Sequence, residues 1–228
     1  MEVVYEDAQL LVVYKEAGLP VQTNRLAQED LESRVKNYIS QTAGKKNPYL
    51  GIINRLDQPV EGLVLFGKTK TATAALNKSL QSGKIEKWYY ALVYGKRKAK
   101  QEKLEQYLVF DHRKNQTSVG SKDTPGAKYA SLKYCVMEEG EDCQLLNIQL
   151  QTGRHHQIRV QFSATGTPLL GDSRYGTEQS KNLSKALGIK NPALCAYKLV
   201  FPDPVTGEER KFSIAPQNAV MGAYIHET

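Results

Sequence analysis

Four strand-like segments follow one another between Trp88 and Leu150, and they constrain the fold more than any other feature of the sequence. Each is rich in aromatic or β-branched residues, and basic or Gly/Pro-containing turns separate them. The segments are WYYALVYG, EQYLVF, AKYASLKYCVM and CQLLNIQL. Strands joined by short turns favour antiparallel pairing. The sequence therefore predicts a long, largely antiparallel sheet.

Further strands and helices are predicted on either side of this region. VVYE and LLVVY near the start are strand-like, and LCAYKLVFPDP with ERKFSIAP indicates a closing hairpin across PVTGE. Apolar residues at helical spacing predict helices in LAQEDLESRVKNYI, in TKTATAALNKSLQSG up to Gly83, and in HHQIRVQFSATG up to Gly166. The apolar spacing thus alternates between strand-like and helix-like along the chain.

The stretch GLVLFGKT, residues 62–69, matches the phosphate-binding pattern G-x-x-x-x-G-K-[ST]. A phosphate-binding loop needs backbone N–H groups that turn inward around the phosphate oxygens. The central residues here, Leu63 to Phe66, are instead a continuous apolar run that is typical of a buried strand. We interpret the stretch as a core strand, with Leu65 buried and the Lys68 ammonium solvated at the strand's exit; a nucleotide-binding loop is the alternative.

The composition describes an ordinary globular chain with a basic surplus. The chain has 228 residues, of which 40% are hydrophobic and 24% charged. No apolar run approaches the roughly 20 residues that span a bilayer, and the first residues are acidic where a signal peptide is basic, so we expect a cytoplasmic protein. The three cysteines show no C-x-x-C spacing, which indicates neither a disulfide framework nor a zinc site. A net charge of +7 favours polyanionic partners.

Residues 84–103, KIEKWYYALVYGKRKAKQEK, concentrate this charge. They carry seven basic and two acidic side chains, interleaved with four aromatic residues: Trp88, Tyr89, Tyr90 and Tyr94. Cations for phosphates and flat rings for bases suit single-stranded or splayed nucleic acid. A solvated hairpin tip between two strands with core aromatics explains the same pattern, so both interpretations stay open.

Two polar segments carry the candidate chemistry. In YLGIINRLDQPVEGLVLFGKT, a polar turn from Asn54 to Gln58 places Asp57 just before the apolar strand, where it can perform chemistry or merely cap local N–H groups. The segment QTGRHHQIRVQ has more hydrogen-bonding capacity than a core helix tolerates without partners. Five of its polar side chains lie within six residues: Arg154, His155, His156, Gln157 and Arg159.

Together these segments resemble the RluA-like family of pseudouridine synthases. The family pattern is His-Arg-Leu-Asp and a Gly-Leu apolar strand ending in Ala-Lys-Thr or similar, then Lys-x-Tyr-x-Ala, Thr-Gly-Arg-x-His-Gln-Ile-Arg and Gly-x-Pro-x-x-Gly-Asp-x-x-Tyr-Gly. This chain has NRLDQPVEGLVLFGKT, KWYYA, TGRHHQIRVQ and GTPLLGDSRYG in the same order and at fitting spacing. The match extends from VVYEDAQLLVVYKEAGL to the last hairpin.

The resemblance implies an α+β fold, the pseudouridine synthase fold, with a long, mostly antiparallel mixed sheet in two lobes flanked by helices and a central cleft. It implies one catalytic domain over residues 1–228, without a separate N-terminal RNA-binding domain. The implied reaction is isomerisation of specific uridines in ribosomal or transfer RNA: N1–C1′ cleavage, base rotation and C5–C1′ rejoining, after the nucleotide leaves its stack. No cofactor, metal or obligatory protein partner is implied, and we expect a monomer that binds RNA.

The resemblance also implies residue roles. Asp57 matches the catalytic aspartate, and Arg159 matches the basic residue that pairs with it. Tyr89 matches the tyrosine that stacks on the base and takes the C5 proton, since the Lys-x-Tyr-x-Ala register selects it over Tyr90. Five further residues are predicted to bind the substrate: Asn54, Arg55, Arg154, His156 and Gln157.

The chain departs from the family pattern at several positions. Asn54 replaces a His, Val60-Glu61 replaces Thr-Ser, Glu16 stands where Pro follows Lys, and Cys195 stands where His is common. Asn54 can still hydrogen-bond, whereas Glu61 is unfavourable beside a polyanion and affects the expected substrate contacts. RNA would be held by the core itself, and the candidates are the loop Lys96–Lys103 and the group His112, Arg113 and Lys114.

Other chemistries fit less well. His155 and His156 are adjacent and are expected to point to different faces, which disfavours a shared metal ion. A catalytically inactive RNA-binding module could dispense with the three candidate catalytic residues in register. A P-loop nucleotide hydrolase would need a true loop at residues 62–69.

Overall fold

The computed structural model of the protein describes residues 1–25, 28–44 and 46–225. Within these residues the chain forms 11 strands and five helices. The strands are β1 (Glu2–Glu6), β2 (Leu10–Lys15), β3 (Gly51–Ile52), β4 (Glu61–Gly67), β5 (Glu86–Tyr94), β6 (Gln101–Asp111), β7 (Gln116–Gly120), β8 (Lys128–Glu139), β9 (Cys143–Leu150), β10 (Leu194–Pro202) and β11 (Glu209–Ser213). The helices are α1 (Leu31–Ala43), α2 (Lys70–Gln81), α3 (Gln157–Ala164), α4 (Glu178–Ala186) and α5 (Ala219–Gly222). The predicted α+β class is confirmed.

Each predicted strand and helix has a counterpart among these elements, whereas β3, β7, α4 and α5 were not predicted. Two residues of the first predicted helical segment, Leu26 and Ala27, lie outside the described residues. Contacts divide the chain into two compact units. The first comprises Met1–Glu86 with Ala196–Ile214, and the second comprises Lys87–Cys195 with Ala215–Thr228. The assignment of residues 1–228 to one catalytic domain stays a prediction.

The first unit is built on the strand order β1-β2-β4-β10, with β3 paired to β4 and β11 paired to β10. All residues of β2 and β4 are buried, as expected for strands whose two faces are covered. The core of this unit includes Val12, Leu65, Leu76 and Phe201. Its apolar side chains come from the strands and from α2, so burying them holds this helix against the sheet.

Residues 62–67 of the stretch GLVLFGKT lie in β4, and the core-strand interpretation is confirmed. β4 pairs antiparallel with β2 from Gly62 to Gly67, so its backbone groups are used in the sheet and cannot form a phosphate loop. Leu65 is 1% exposed. The expectation of a solvated ammonium at Lys68 is wrong, because the ammonium is bound within the protein: Nζ lies 2.6 Å from Oε1 of Glu6 and donates to the carbonyl of Asp7.

Gly62 allows β10 to approach β4 closely. Its φ is +131°, and a Cβ at this position would lie 2.5 Å from both the backbone N and O of Ala196. Neither that conformation nor that distance is available to a residue with a side chain. The first glycine of the apparent phosphate motif is therefore required by packing within the sheet.

The second unit is built on the antiparallel strand order β5-β9-β8-β6-β7. The long antiparallel arrangement predicted from the four strand-like segments is confirmed. Val160 of α3 packs with Leu108 of β6 and Ala130 of β8. This contact places α3 on one face of the sheet, directly after the loop that carries TGRHHQ.

Candidate active site

The segment Asn54 to Asp57, which precedes β4, alternates between buried and accessible side chains. Asn54 and Leu56 are buried, Arg55 is exposed and Asp57 is half-buried. Two side chains therefore fix the segment to the core of the first unit, while Arg55 between them is exposed and Asp57 after them is half-buried. This arrangement is suited to presenting a carboxylate on a rigid support.

Asn54 holds the segment by bonding to the backbone of β4. Its Nδ2 donates to the carbonyl of Leu63 at 3.1 Å, and its Oδ1 accepts from the N–H of Leu65 at 2.8 Å. The amide thus bonds to one C=O and one N–H of β4, as the backbone of a neighbouring strand would. Asn54 was predicted to bind substrate, and the structure gives it a positioning contact that an amide can make with both ends.

The loop after β2 holds the other end of the turn. The N–H of Gly18 donates to the carbonyl of Gln58 at 2.9 Å, and Gln58 Nε2 donates to the carbonyl of Gly18 at 3.0 Å. The N–H of Val60 closes the turn by donating to the carbonyl of Asp57 at 3.0 Å. The backbone on both sides of the Asp57 side chain is therefore hydrogen-bonded.

Lys15 is completely buried beneath this turn, and the sequence analysis missed it. Its Nζ donates to three carbonyl oxygens: Glu16 at 3.0 Å, Leu19 at 2.7 Å and Gln58 at 3.0 Å. Burial lowers the pKa of Lys15 to about 8, and the negative charges of Asp57, Glu16 and Glu61 oppose the shift. The only signal in the sequence was a Lys at the end of an apolar strand, which also describes many lysines at strand ends.

Glu61, which replaces a small hydroxyl residue of the family pattern, is buried in β4. Its Oε2 accepts a hydrogen bond from the Tyr14 hydroxyl at 2.5 Å. The carboxylate is thus enclosed with β2 instead of lying on an exposed surface. The sequence predicts that Glu61 disturbs contacts with a polyanion. Because the carboxylate is buried, its repulsion of a polyanionic ligand is reduced.

In the second unit, Arg159 forms a buried two-bond ion pair with Asp172. Nε of Arg159 lies 2.7 Å from Oδ2, and Nη2 lies 2.9 Å from Oδ1. Oδ1 also accepts the N–H groups of Arg174 and Tyr175, at 3.0 and 3.1 Å. Asp172 lies in GDSRYG, a motif of the resemblance, but the sequence could not reveal its partner. The pairing of Arg159 with Asp57 stays a prediction.

Tyr89 lies in β5, pairs with Ile148 of β9 and is 6% exposed. Successive side chains of a strand point to opposite faces, so Tyr90, which is half-buried, lies on the other face. The structure therefore distinguishes the two candidate tyrosines by face. The catalytic role of Tyr89 stays a prediction.

Gln157 organises the loop that precedes α3. Its Oε1 accepts from Thr152 Oγ1 at 2.7 Å and from the N–H of Arg154 at 3.0 Å. Its Nε2 donates to the Ser131 carbonyl at 3.1 Å and to Gln161 Oε1 at 3.0 Å. These four bonds use the full capacity of the amide. Gln157 was predicted to bind substrate, but a direct hydrogen bond to RNA would require one of these bonds to break.

The expectation that His155 and His156 point to different faces is wrong. Their rings stack with centroids 3.6 Å apart, because His156 has a φ of +52° that turns it back over its neighbour. Nδ1 of His155 lies 2.8 Å from Thr117 Oγ1, and Nδ1 of His156 lies 2.7 Å from the Tyr175 hydroxyl. In the described part of the chain, no group of His, Cys, Asp and Glu side chains could hold a metal ion.

The basic stretch after β5 divides into exposed and structural side chains. Lys96 and Lys98 are exposed. Arg97 is not, because its side chain is 10% exposed and its guanidinium bonds to the Tyr134 hydroxyl at 2.9 Å and to Glu102 at 2.6 Å. Arg97 therefore fits neither the RNA-contact nor the solvated-tip interpretation.

The turn between β6 and β7 carries the other predicted RNA-binding group. Asp111 Oδ1 accepts the N–H groups of Arg113 and Lys114, at 2.8 and 3.1 Å. The side chains of His112, Arg113 and Lys114 are exposed. The carboxylate of Asp111 thus orders the turn by binding its backbone and leaves the basic side chains accessible.

No helix among the described residues is long and apolar enough to cross a membrane.

Comparison with known proteins identifies relatives along most of the chain. The family model described as RNA pseudouridylate synthase matches residues 9–164. An uncharacterized RNA pseudouridine synthase of Aquifex aeolicus is 32% identical, over 98% of this chain and 72% of the relative. The dual-specificity RNA pseudouridine synthase RluA of Vibrio parahaemolyticus is 30% identical, over 86% of this chain and 77% of the relative. The ribosomal large subunit pseudouridine synthase D of the same organism is 32% identical, over 93% and 66%.

The solved structure of human RNA pseudouridylate synthase domain containing 4 has the same fold. It superposes with a TM-score of 0.80 over 98% of this chain and 92% of that chain, at 20% identity. The family match and the relatives of 30% identity or more agree with the resemblance found in the sequence. The chain belongs to the RluA-like family of RNA pseudouridine synthases, which are isomerases.

Proposed function

We propose that this chain isomerises specific uridines in ribosomal or transfer RNA, with Asp57 as the catalytic carboxylate. The observation that carries this assignment is the support of Asp57: a half-buried carboxylate on a turn fixed by Asn54, Gly18 and the buried ammonium of Lys15. The relatives named for the ribosomal large subunit support ribosomal RNA as the first substrate to test. A dual-specificity relative supports testing transfer RNA in parallel.

In this reaction the N1–C1′ bond of the extracted uridine breaks, the uracil turns, and C5 bonds to C1′. C5 then loses its proton and N1, which carries none in uridine, gains one, so the product is an isomer and no external reactant is consumed. Asp57 supplies the negative charge that acts on the ribose or base. Tyr89 stacks on the uracil and accepts the C5 proton. Arg159, oriented by Asp172, supplies the cation that acts with Asp57.

The remaining predicted residues have two kinds of role in this proposal. Arg55 and Arg154 are exposed cations that contact the RNA. Asn54, Gln157 and His156 position the loops that carry these groups through the bonds described above. We further propose that the enzyme works as a monomer in the cytoplasm, where both RNA classes are available to it.

The experiment is single-turnover pseudouridine formation on total ribosomal and transfer RNA with the parent protein and Asp57→Asn. The amide keeps the size of the side chain and removes its charge, so we expect isomerisation to be abolished while thermal stability and RNA affinity stay close to those of the parent. Asp123→Asn, which removes an exposed carboxylate from the loop after β7, is the control and should be fully active. Activity in Asp57→Asn would exclude this carboxylate, and an inactive parent protein would contradict the proposed function.

A further inference from the structure

Lys87 lies on the same face of β5 as Tyr89. The two residues are two positions apart in the strand, and side chains at that spacing point the same way. Lys87 is thus placed beside the residue proposed to contact the target base. Nothing in the proposed reaction uses it.

The ammonium of Lys87 lies against Gly153 in the loop that carries TGRHHQ. A Cβ built on Gly153 would be 3.5 Å from Nζ of Lys87. The φ of Gly153 is not among the positive values, so the backbone conformation does not demand a glycine there. Its lack of a side chain leaves the ammonium uncovered at this point.

Lys87 has no carboxylate or carbonyl partner among the residues that the structure describes. Burial lowers the pKa of Lys87, and no neighbouring charge opposes the shift. Lys15, by contrast, is buried with three carbonyl acceptors and nearby carboxylates. An ammonium that is partly removed from water without a partner costs free energy, so the fold itself gains nothing from this charge.

The same loop carries two further donors. The Nε–H of the exposed Arg154 donates to the carbonyl of Tyr129 at 2.9 Å, which leaves the other guanidinium N–H groups for a ligand. The N–H of Gly153 has no hydrogen-bond partner within the described ranges. An ammonium against Gly153, with a backbone N–H and a guanidinium on Gly153 and the next residue, is a donor set suited to an anion with several oxygens.

We infer that Lys87, with Gly153 and Arg154, binds a phosphate group of the substrate RNA. The inference rests on the proposed function, which makes RNA the ligand that reaches the face of Tyr89. The phosphate supplies the negative charge that Lys87 lacks among the residues that the structure describes. A bound phosphate on this side of the strand would hold the RNA backbone while the nucleotide turns toward Tyr89.

The test compares Lys87→Met, Lys87→Arg and the control Lys122→Met, which removes an exposed charge from the same unit. RNA affinity is measured as a function of salt, together with thermal denaturation and single-turnover rates. Lys87→Met should weaken binding roughly tenfold, as for loss of a charged hydrogen bond. The slope of log K against log salt should become shallower by about 0.7–0.9, the contribution of one phosphate contact. Its Tm should equal or exceed that of the parent, because an unpaired charge has been removed from a half-buried site.

Lys87→Arg should restore most of the affinity, and Lys122→Met should leave both affinity and slope unchanged. Unchanged affinity and slope in Lys87→Met would overturn the inference, and so would a large fall in its Tm without rescue by Lys87→Arg, since that result describes a structural residue. The proposed function is judged separately by pseudouridine formation in the parent protein. A parent that binds RNA without isomerising it would contradict the function and still leave the comparison of Lys87 variants decisive.

Discussion

The guanidinium of Arg159 donates to both carboxylate oxygens of Asp172, at 2.7 and 2.9 Å. Both side chains are nearly inaccessible, with Arg159 4% and Asp172 2% exposed. The pair joins α3 to the GDSRYG turn and sets the direction in which the guanidinium can act. Two-bond pairs of this kind fix geometry as well as charge.

Removing Asp172 should leave the Arg159 charge buried without its partner. We expect Asp172→Ala to lower the free energy of unfolding by about 3–5 kcal/mol, the usual cost of breaking a buried pair from one side. Urea denaturation measures the change. Glu105→Ala is the control, since Glu105 pairs with Lys103 at an exposed site and its loss should change the free energy of unfolding little. Equal changes in unfolding free energy for the two substitutions would show that the buried pair of Arg159 and Asp172 stabilises the protein no more than an exposed pair does.

Because the pKa of Lys15 is low, we expect stability and activity to change with pH in opposite directions. Its pKa is about 8 when folded and about 10.4 when unfolded, so between these values the unfolded chain binds more protons. Unfolding free energy should therefore rise with pH across this window, by roughly 3 kcal/mol if Lys15 acts alone. Over the same window the turn loses the positive charge beside Asp57, so the single-turnover rate should fall.

Lys15→Met serves as the reference for this pH dependence. The quantity to compare is the difference in unfolding free energy between parent and variant, because tyrosines and other lysines titrate in both proteins. The difference should change with pH between about 8 and 10.4. A difference that is flat with pH would contradict the assignment of the low pKa to Lys15.

We expect different costs for a substitution inside β4 and for one just after it. Leu65→Ala should destabilise the protein by roughly 2–5 kcal/mol, the range for emptying a buried leucine site. Lys68→Ala removes the partly buried ion pair with Glu6 and should cost about 1 kcal/mol. Thermal denaturation with and without ATP and magnesium checks both values. Stabilisation of the parent by ATP that disappears in Lys68→Ala would revive the phosphate-loop alternative.

In the basic stretch after β5, we expect some side chains to affect RNA binding alone and another to affect stability. Replacing Lys96 and Lys98 together by Gln should make the slope of log K against log salt shallower by about 1.5, since each phosphate contact contributes about 0.7–0.9. Stability should not change, because both side chains are exposed. Arg97→Gln should instead destabilise the protein by about 1.5–3 kcal/mol through its bonds to Tyr134 and Glu102. An unchanged slope in the double variant would assign Lys96 and Lys98 to solvent.

The sequence was informative wherever local apolar periodicity decided the structure. The apolar run of β4 favours a buried strand over the phosphate loop, and the apolar spacing of α2 favours a helix, so both elements were predicted. β7 was missed because QTSVG is short and polar, and it becomes a strand only through pairing with β6 after the turn at Asn115. The same limit applies to β3, whose two residues pair with β4.

Side-chain partners were less predictable, because they depend on distant backbone. Glu6 lies 62 positions from Lys68, and nothing near Lys68 in the sequence indicates this ion pair. The stacking of His155 on His156 depends on one positive φ, which a propensity for helix or strand does not encode. The resemblance located the Asp57 turn, whereas the buried ammonium of Lys15 beneath it could be found only from the folded chain.

The discontinuity of the first unit has a consequence for synthesis. β4 is made early, but its neighbour β10 follows the intervening stretch Lys87–Cys195. At a translation rate of roughly 5–20 residues per second, the ribosome needs about 5–20 s to make that stretch. On the edge away from β2, β3 and Asn54 already cover the part of β4 from Leu63 to Gly67. The part around Gly62 lacks its neighbour β10 for many seconds, long after local strand pairing is complete. That edge, where Gly62 later receives Ala196, is where wrong pairing or chaperone binding would compete with folding.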